Sequence, residues 1–262
     1  MNAQTHTAPN HSAKVTEQFG PRAAAYVTSA VHARGADLEQ LAELAQGLPA
    51  TARALDLGCG GGHAAFHIAP HVAQVVAYDM SVEMLNAVAR TAADKGLSNI
   101  VTRQGMAERL PFPDAGFDLV VSRFSAHHWN DLGAVLREAR RVLKPAGQAV
   151  FIDAVASASP LCDTHFQAIE LLRDVSHVRD YSHAEWLEAL GKAGFTAGIT
   201  VPRRLRLDFQ SWVARMCTPD LHVGAIRALQ ASMPREVADY LELEDDGSFT
   251  IDTLTIEARA RA

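Results

Sequence analysis

From Ala52 onwards, short apolar runs that end at glycine or aspartate alternate with stretches of helical periodicity. This alternation is typical of βα units on a parallel sheet. The chain is therefore expected to fold as an α/β protein with helices on both faces of a mostly parallel, seven-stranded sheet. The predicted strands are Arg53–Leu57, Ala73–Asp79, Ile100–Gln104, Phe117–Ser122, Gln148–Val155, Thr196–Leu207 and Ser248–Glu257.

Two of the intervening helices have recognisable ends. One follows Asn130 or Asp131 as its N-cap and carries apolar residues along one face. Another opens with Ser182 and Glu185, which are spaced as a capping box, and stops at Gly194. Both patterns predict helices that pack one face against the sheet.

The 262 residues are long enough for one large domain. Residues 1–13 are polar and aperiodic and are expected to form a disordered leader, followed by a single domain over 14–262. Within it, residues 14–50 are predicted to form a helical cover, in which Phe19 and Tyr26 are aromatic candidates for closing a site. Residues 156–181 and 209–245 exceed a minimal alternating sheet and are expected to be substrate-side inserts.

Composition excludes several classes of protein. The formal net charge is −6 and the pI is near 6.0, which argues against binding to a nucleic-acid backbone. The three cysteines form no CxxC pair, so neither a disulfide framework nor a thiolate metal site is expected. The sequence shows no signal peptide and no membrane-spanning run. A cytoplasmic, non-membrane protein is expected, and nothing predicts its oligomeric state.

A glycine-rich segment follows the first predicted strand directly. Residues 55–62 read Leu-Asp-Leu-Gly-Cys-Gly-Gly-Gly, and glycine lets a backbone turn approach a ligand closely. Asp79 ends the next strand, where a carboxylate can accept hydrogen bonds from both hydroxyls of a ribose. Together the two features predict a nucleoside site at the carboxyl edge of the sheet.

Four segments in order resemble the class I S-adenosylmethionine-dependent methyltransferases, and especially the type 11 domain of the ubiquinone/menaquinone methyltransferase family. They are DLGCGGG at 56–62, VVAYDMSVEML at 75–85, GMAERLPFPDAGFDLVVSRFSAHHW at 105–129 and EARRVLKPAGQAVFID at 138–153. The resemblance covers about residues 14–200. It implies a Rossmann-like fold with an antiparallel last strand, S-adenosylmethionine as cofactor and S-adenosylhomocysteine as product.

The resemblance also implies roles for individual residues. Asp56 lies near the methionine amino group, and Gly58 and Gly60 lie beneath the methionine and ribose. Asp79 takes the ribose hydroxyls and Met80 packs on the adenine. The same resemblance places the backbone of Ala107 at the adenine edge and that of Arg123 near the cofactor. Met106 stands where the family often has aspartate, so either Met106 packs on the adenine or Glu108 or a backbone carbonyl holds its amino group.

Histidines supply the candidate chemistry. His127 and His128 follow the fourth strand, where the family places groups beside the transferred methyl, and a histidine can remove a proton near neutral pH. His128 is the first candidate base. His63 and His67 lie four residues apart with no completing ligands, so a solvated helix face is expected there and no metal site.

The stretch 173–181, in the otherwise apolar insert 156–181, contains many titratable side chains. Its residues His177, Arg179 and Tyr181 are candidates for acceptor binding, although such charge clusters also occur as solvated surface.

Three functions remain open at this point. The first is methyl transfer by in-line displacement to a small organic acceptor, such as a quinone-like or other ring metabolite. The second is a non-catalytic protein that binds S-adenosylmethionine. The third is an NAD-dependent dehydrogenase, which is disfavoured because His63 stands where the GxGxxG pattern needs its third glycine.

Overall fold

A computed structural model describes residues 10–22 and 35–261. Seven strands form one sheet in the order β3-β2-β1-β4-β5-β7-β6. They are β1 Arg53–Leu57, β2 Gln74–Asp79, β3 Ile100–Gln104, β4 Phe117–Arg123, β5 Leu143–Val155, β6 Phe195–Leu207 and β7 Phe249–Ala260. Strands β1 to β5 pair in parallel, while β7 pairs antiparallel with both β5 and β6. The predicted fold class is thereby confirmed.

The described residues form ten α-helices around this sheet. They are α1 His11–Phe19, α2 Ala36–Gln46, α3 His63–Ile68, α4 Val82–Asp94, α5 Leu132–Val142, α6 Pro160–Arg173, α7 His183–Lys192, α8 Phe209–Met216, α9 Asp220–Ala231 and α10 Arg235–Tyr240. Short 3-10 turns occupy Gly20–Arg22, Ala69–His71 and Ala126–His128. Within the described ranges, none of the helices has the length and apolarity needed to span a bilayer.

The helix ends follow the capping pattern of the sequence. Asp131 is the N-cap of α5, and its side chain accepts a hydrogen bond from the Ala134 N–H. Ser182 and Glu185 form a complete capping box at the start of α7. Strand β5 begins at Leu143, earlier than predicted, because Leu143 pairs with Phe117 before a register shift in the ladder.

The N-terminal segment departs from the expected leader. Helix α1 begins at His11, and the Asn10 side chain accepts from the Ala13 N–H at 2.9 Å. The expected disordered leader over 1–13 is therefore wrong at its last positions, because Asn10 supplies a helix cap. Residues 1–9 and 23–34, which include Tyr26, lie outside the described residues.

Three apolar clusters hold the layers together. One joins a face of the sheet to α5 and α7, and another joins the opposite face to α2, α3 and α4. The third joins α6, α8, α9 and α10 to β5, β6 and β7 and includes the buried aromatic residues Phe166, Trp212 and Phe249. The two inserts thus build a helical wall beside the carboxyl ends of β4 and β5.

Candidate active site

The turn between β1 and α3 is folded tightly against the neighbouring strands. The Gly58 and Cys59 N–H groups both donate to the Tyr78 carbonyl, at 2.8 and 3.0 Å. Gly58 has a φ of +70°, and a Cβ there would lie 2.0 Å from Ser125 Oγ. Gly60 has a φ of +47°, but a Cβ there would meet nothing within 4 Å. Packing against Ser125 therefore requires glycine at position 58, whereas the space beside Gly60 is open.

Asp79 is held by backbone donors at the end of β2. Its Oδ2 accepts from the Gly60 N–H and its Oδ1 from the Ser81 N–H, both at 2.9 Å. Burial raises the pKa of Asp79 despite these donors. A carboxylate has about four acceptor positions, so Asp79 can still accept from a ligand hydroxyl.

Asp56 is a buried acid beneath the same turn. It is 1% exposed, and its Oδ2 accepts from the Ala65 N–H at 2.9 Å. Burial raises the pKa of Asp56 to about 7, opposed by the Ala65 N–H and reinforced by the charge of Asp79. A cationic group placed beside Asp56 would favour its ionised form.

A cavity of about 1080 Å³, here called the first cavity, opens above these residues. Most predicted cofactor residues line it, namely Asp56, Gly58, Gly60, Asp79, Met80, Ala107 and Arg123. Met106 is absent from this lining; its residue is 45% exposed, and its carbonyl accepts from the Tyr78 hydroxyl at 3.2 Å. Tyr26 lies outside the described residues.

Helix α1 closes one side of the first cavity. His11, Ser12, Val15 and Phe19 line it. The His11 Nε2 lies 2.9 Å from the carbonyl oxygen of His128, which ties α1 to the turn after β4. The helical cover thus reaches the site in its described part.

Arg123 and His63 also line the first cavity. Arg123 Nε donates to Asp37 Oδ2 at 2.5 Å, so α2 anchors the guanidinium. His63 is only 9% exposed, and the expected solvated position is wrong because α3 turns this residue toward the glycine turn. No local sequence pattern indicates this burial, because it depends on how α3 docks against the glycine turn.

A second cavity, of about 650 Å³, adjoins the first. Phe19, Phe124 and His128 line both. Its other walls combine charged and apolar side chains, namely His127, Ala154, Glu170, Arg173, Asp174, Asp180, Leu205, Leu207, Trp212, Arg215 and Ile251. Most of them come from the two inserts and the last strands. The sequence indicates the titratable stretch of the first insert, but the cavity is lined by Arg173, Asp174 and Asp180 of that stretch and not by the predicted His177, Arg179 and Tyr181.

Phe124 stands at the junction of the two cavities in an unusual conformation. Its φ is +50°, in the left-handed region that non-glycine residues rarely occupy. The Phe124 N–H donates to the Ile152 carbonyl at 2.8 Å, which ties the residue to β5. Backbone strain of this kind, of about 1–3 kcal/mol, is commonly found at functional sites.

His128 faces both cavities as a neutral ring. Its Nδ1 lies 3.1 Å from the Ser176 carbonyl oxygen, which assigns the proton to Nδ1 and leaves Nε2 as an acceptor. Burial, followed by the charge of His127, lowers the pKa of His128 to about 4. Nε2 therefore stays unprotonated at neutral pH, and Asp174 Oδ2 lies 3.9 Å from it.

His127 is in the opposite state. Its Nδ1 lies 2.6 Å from Asp153 Oδ1. Burial by itself would lower the pKa of His127, but the Asp153 carboxylate outweighs burial and raises it to about 9. Two adjacent histidines are thus held in different protonation states at neutral pH.

The predicted acceptor residues in the first insert are separated by the structure. His177 is buried; its Nε2 lies 2.8 Å from Gln167 Oε1, and its ring centroid lies 5.9 Å from that of His127. Arg179 pairs with Asp163 and Glu185, and Tyr181 packs on Trp186. None of the three predicted residues, His177, Arg179 and Tyr181, lines either cavity.

Among the described residues, one group of ligand-type side chains lies within 4.8 Å of one another: His127, Asp153 and Asp180. Each Asp153 oxygen already accepts two hydrogen bonds, which leaves it no lone pair for an ion. The group is therefore a hydrogen-bonded histidine–carboxylate pair beside a second buried acid. Burial raises the pKa of Asp180 well above its ordinary value.

The chain is similar in sequence to known proteins. A sequence model of the methyltransferase domain matches residues 55–151. The uncharacterised protein YafE of Escherichia coli is 46% identical over 78% of this chain and 99% of its own length. The match with the uncharacterised methyltransferase YcgJ of Bacillus subtilis is 36% identical over 77% of this chain and 79% of the relative.

A solved structure and a more distant relative are also similar to this chain. The crystal structure of YcgJ superposes with a TM-score of 0.82 at 31% identity and covers 86% of this chain and 98% of YcgJ. A demethylmenaquinone methyltransferase of Chlorobaculum parvum is 38% identical over 41% of this chain and 43% of its own length. The glycine turn and both histidines after β4 lie within the residues that match the domain model.

Proposed function

The chain belongs to the class I S-adenosylmethionine-dependent methyltransferases, and from this we propose that it transfers a methyl group to a small organic acceptor held in the second cavity. The supporting observation is that two cavities of different character meet at Phe19, Phe124 and His128. One contains the glycine turn and its two aspartates. The other is walled by the inserts.

The first cavity fits S-adenosylmethionine in its donor set. Gly60 leaves room for a ligand, and Asp79 offers carboxylate lone pairs suited to the ribose hydroxyls. Asp56 is a buried acid, and the ammonium group of the methionine moiety would stabilise its ionised form. Gly58, Met80, Ala107 and Arg123 complete the proposed binding set, and Met106, which does not line the cavity, is proposed to contribute through its backbone.

When bound, the cofactor would supply an electrophilic methyl group on a sulfonium, which the acceptor attacks in line with the carbon–sulfur bond. The protein's share of the rate then comes from positioning the acceptor and excluding water. Phe19 and Phe124 give the junction between the cavities an apolar lining. His128 presents an unprotonated Nε2 there, so it is the proposed base for an acceptor that must lose a proton.

The second cavity suits an acceptor with both apolar and polar parts. Leu205, Leu207, Trp212 and Ile251 offer an apolar wall, and Arg173 lies over the Trp212 ring at 4.9 Å. A ring metabolite of moderate size matches this combination. A quinone-like compound remains the leading proposal within that class.

Calorimetry with purified protein tests the cofactor half of the proposal. S-adenosylmethionine or S-adenosylhomocysteine should bind with a dissociation constant of about 1 μM, corresponding to about −8 kcal/mol, whereas NAD should not bind. Preferential binding of NAD would contradict the proposal. The non-catalytic alternative predicts the same binding but no methyl transfer, so a transfer assay separates the two.

A further inference from the structure

Asp153 lies on β5 beneath the turn that carries both histidines, and it is 4% exposed. Its Oδ2 accepts from the Ser125 N–H at 3.2 Å and the Ala126 N–H at 2.7 Å. Its Oδ1 accepts from the Ala154 N–H at 2.9 Å and faces His127 Nδ1 at 2.6 Å. Three backbone N–H groups thus fix the position of the Asp153 carboxylate independently of His127.

This arrangement determines which nitrogen of His127 carries a proton. A carboxylate only accepts, so Nδ1 must donate to Asp153. The ring's exchangeable position is then Nε2. The His127 side chain is 17% exposed and lines the second cavity, which is where a ligand can reach it.

We propose that Asp153 is a positioning residue that holds His127 as an imidazolium in the wall of the second cavity, and that this cation binds an acceptor through an anionic phenol- or enol-type oxygen. The inference rests on the proposed function, because it assumes that the second cavity is the acceptor site. It goes beyond that function by naming the group that recognises the acceptor and the chemistry recognised.

The groups around His127 are two buried acids, two histidine rings and, beside His128, the Asp174 carboxylate. The charges of Asp180 and Glu170 contribute to the raised pKa of His127, while burial raises the pKa of both acids, and Glu170 also pairs with Arg173 at 3.5 Å. His128 and His177 are the neighbouring rings, and burial lowers the pKa of each. Burial alone would raise the pKa of Asp174, but His128, Ser176 and Arg173 outweigh burial and lower it. Asp174 is therefore a carboxylate that opposes an oxyanion, and Arg173 in the same cavity wall offsets its charge.

The unpartnered oxygen of Asp180 adds an independent observation. Asp180 is 1% exposed, and its Oδ2 has no hydrogen-bond partner among the described residues, although His177 Nε2 lies 3.7 Å away. A protonated Asp180 would have a hydroxyl to donate, and an acceptor oxygen could satisfy it. Arg173 and Arg215 line the same cavity and add cationic character.

Nuclear magnetic resonance of histidine-labelled protein tests the positioning step without any cofactor. In the unmodified protein the His127 ring should titrate near pH 9, with the proton on Nδ1 below and through that transition. Asp153→Asn should move the midpoint downward by at least about two pH units, since the carboxylate is the main stabilising charge. Asp252→Asn, on the adjacent strand β7, should leave it unchanged and serves as the matched control.

A coloured phenol tests the recognition step. With 4-nitrophenol as the probe, slightly below its own ionisation midpoint, the protein should increase the yellow phenolate absorbance, and Asp153→Asn and His127→Phe should abolish the increase. A His127 titration midpoint near the ordinary histidine value of about 6.5 in the unmodified protein would overturn the positioning role, even if the variants do not fold. Binding of the probe without a phenolate increase, or no binding, would overturn the oxyanion assignment. Cofactor calorimetry stays unaffected by either failure, so the proposed function is tested separately.

Discussion

The carboxylate of Asp79 accepts a hydrogen bond from the Gly60 N–H at 2.9 Å, which joins the glycine turn to the end of the neighbouring strand. The turn and the acid therefore form one unit before any ligand is present. A ligand that contacts one of them is brought to the other, because the hydrogen bond fixes their separation.

Asp79→Ala should weaken binding of S-adenosylmethionine by about 2–4 kcal/mol, because two hydroxyls would lose a charged acceptor at about 1.5–3 kcal/mol each, with partial rescue by water. Calorimetry measures the change. Asp94→Ala, at the exposed end of α4, is the control and should bind normally. An unchanged dissociation constant in folded Asp79→Ala would show that this residue does not hold the ribose.

Asp56→Asn should affect stability and binding in opposite directions. Because the folded-state pKa of Asp56 is raised to about 7, its stabilising contribution is present in acid and is lost as the pH rises through that value. At about pH 8 the variant without ligand should therefore melt at least about 2 °C higher than the unmodified protein. It should also bind S-adenosylmethionine more weakly. Equal melting temperatures at that pH would contradict the cost assigned to the buried charge.

His128→Ala should lower turnover on a confirmed acceptor by about 10²-fold or more, while cofactor affinity changes little, since general-base catalysis typically contributes about 10²–10⁴-fold. Its lowered pKa keeps Nε2 unprotonated, so turnover should not fall through loss of this base between about pH 6 and pH 8. His165→Ala, on the exposed side of α6, is the control. A loss below about fivefold would favour positioning alone.

His177→Gln should make the protein less sensitive to acid. Burial, followed by the charges of His127 and His128, lowers the folded-state pKa of His177 to about 3, so the unfolded chain takes up this proton first as the pH falls below about 6.5. The stability of the variant relative to the unmodified protein should rise steadily between about pH 6.5 and pH 4. Denaturant titrations across that range measure it, and a constant difference would be inconsistent with a buried neutral His177.

Hydrogen exchange tests the cover formed by α1. Adding S-adenosylhomocysteine should protect backbone amides of residues 11–19 as well as 56–62, because His11, Val15 and Phe19 line the first cavity. The C-terminal end of α7, residues 188–192, does not line the first cavity and should exchange as before. Protection of the glycine turn without any change in α1 would contradict the role of α1 as a cover, but it would leave the cofactor site supported.

The sheet, the caps and the glycine turn could be predicted because each is encoded locally. Strand periodicity, Asp131 and the Ser182–Glu185 pair act within a few residues of their own positions. The cofactor candidates could be predicted for the same reason, since Asp56 and Asp79 lie at the carboxyl ends of successive parallel strands.

The polar wall of the second cavity could not be predicted in this way. Glu170 and Asp180 lie in the first insert and Arg215 in the second, and only the packing of both inserts on β5 to β7 brings them together. Asp153 did leave a signal, because an acid inside the apolar run of β5 must find several donors to be buried. His63 left none, since its burial depends on how α3 docks against the turn.

Transfer of a labelled methyl group tests the central claim most directly. S-adenosylmethionine labelled in its methyl carbon would be incubated with fractionated metabolite extract and the unmodified protein, alongside Asp79→Ala and His128→Ala. The proposed function predicts a labelled small molecule in the first reaction and strongly reduced label with either variant. A protein that binds S-adenosylmethionine by calorimetry but transfers label to no small molecule in any fraction would contradict it.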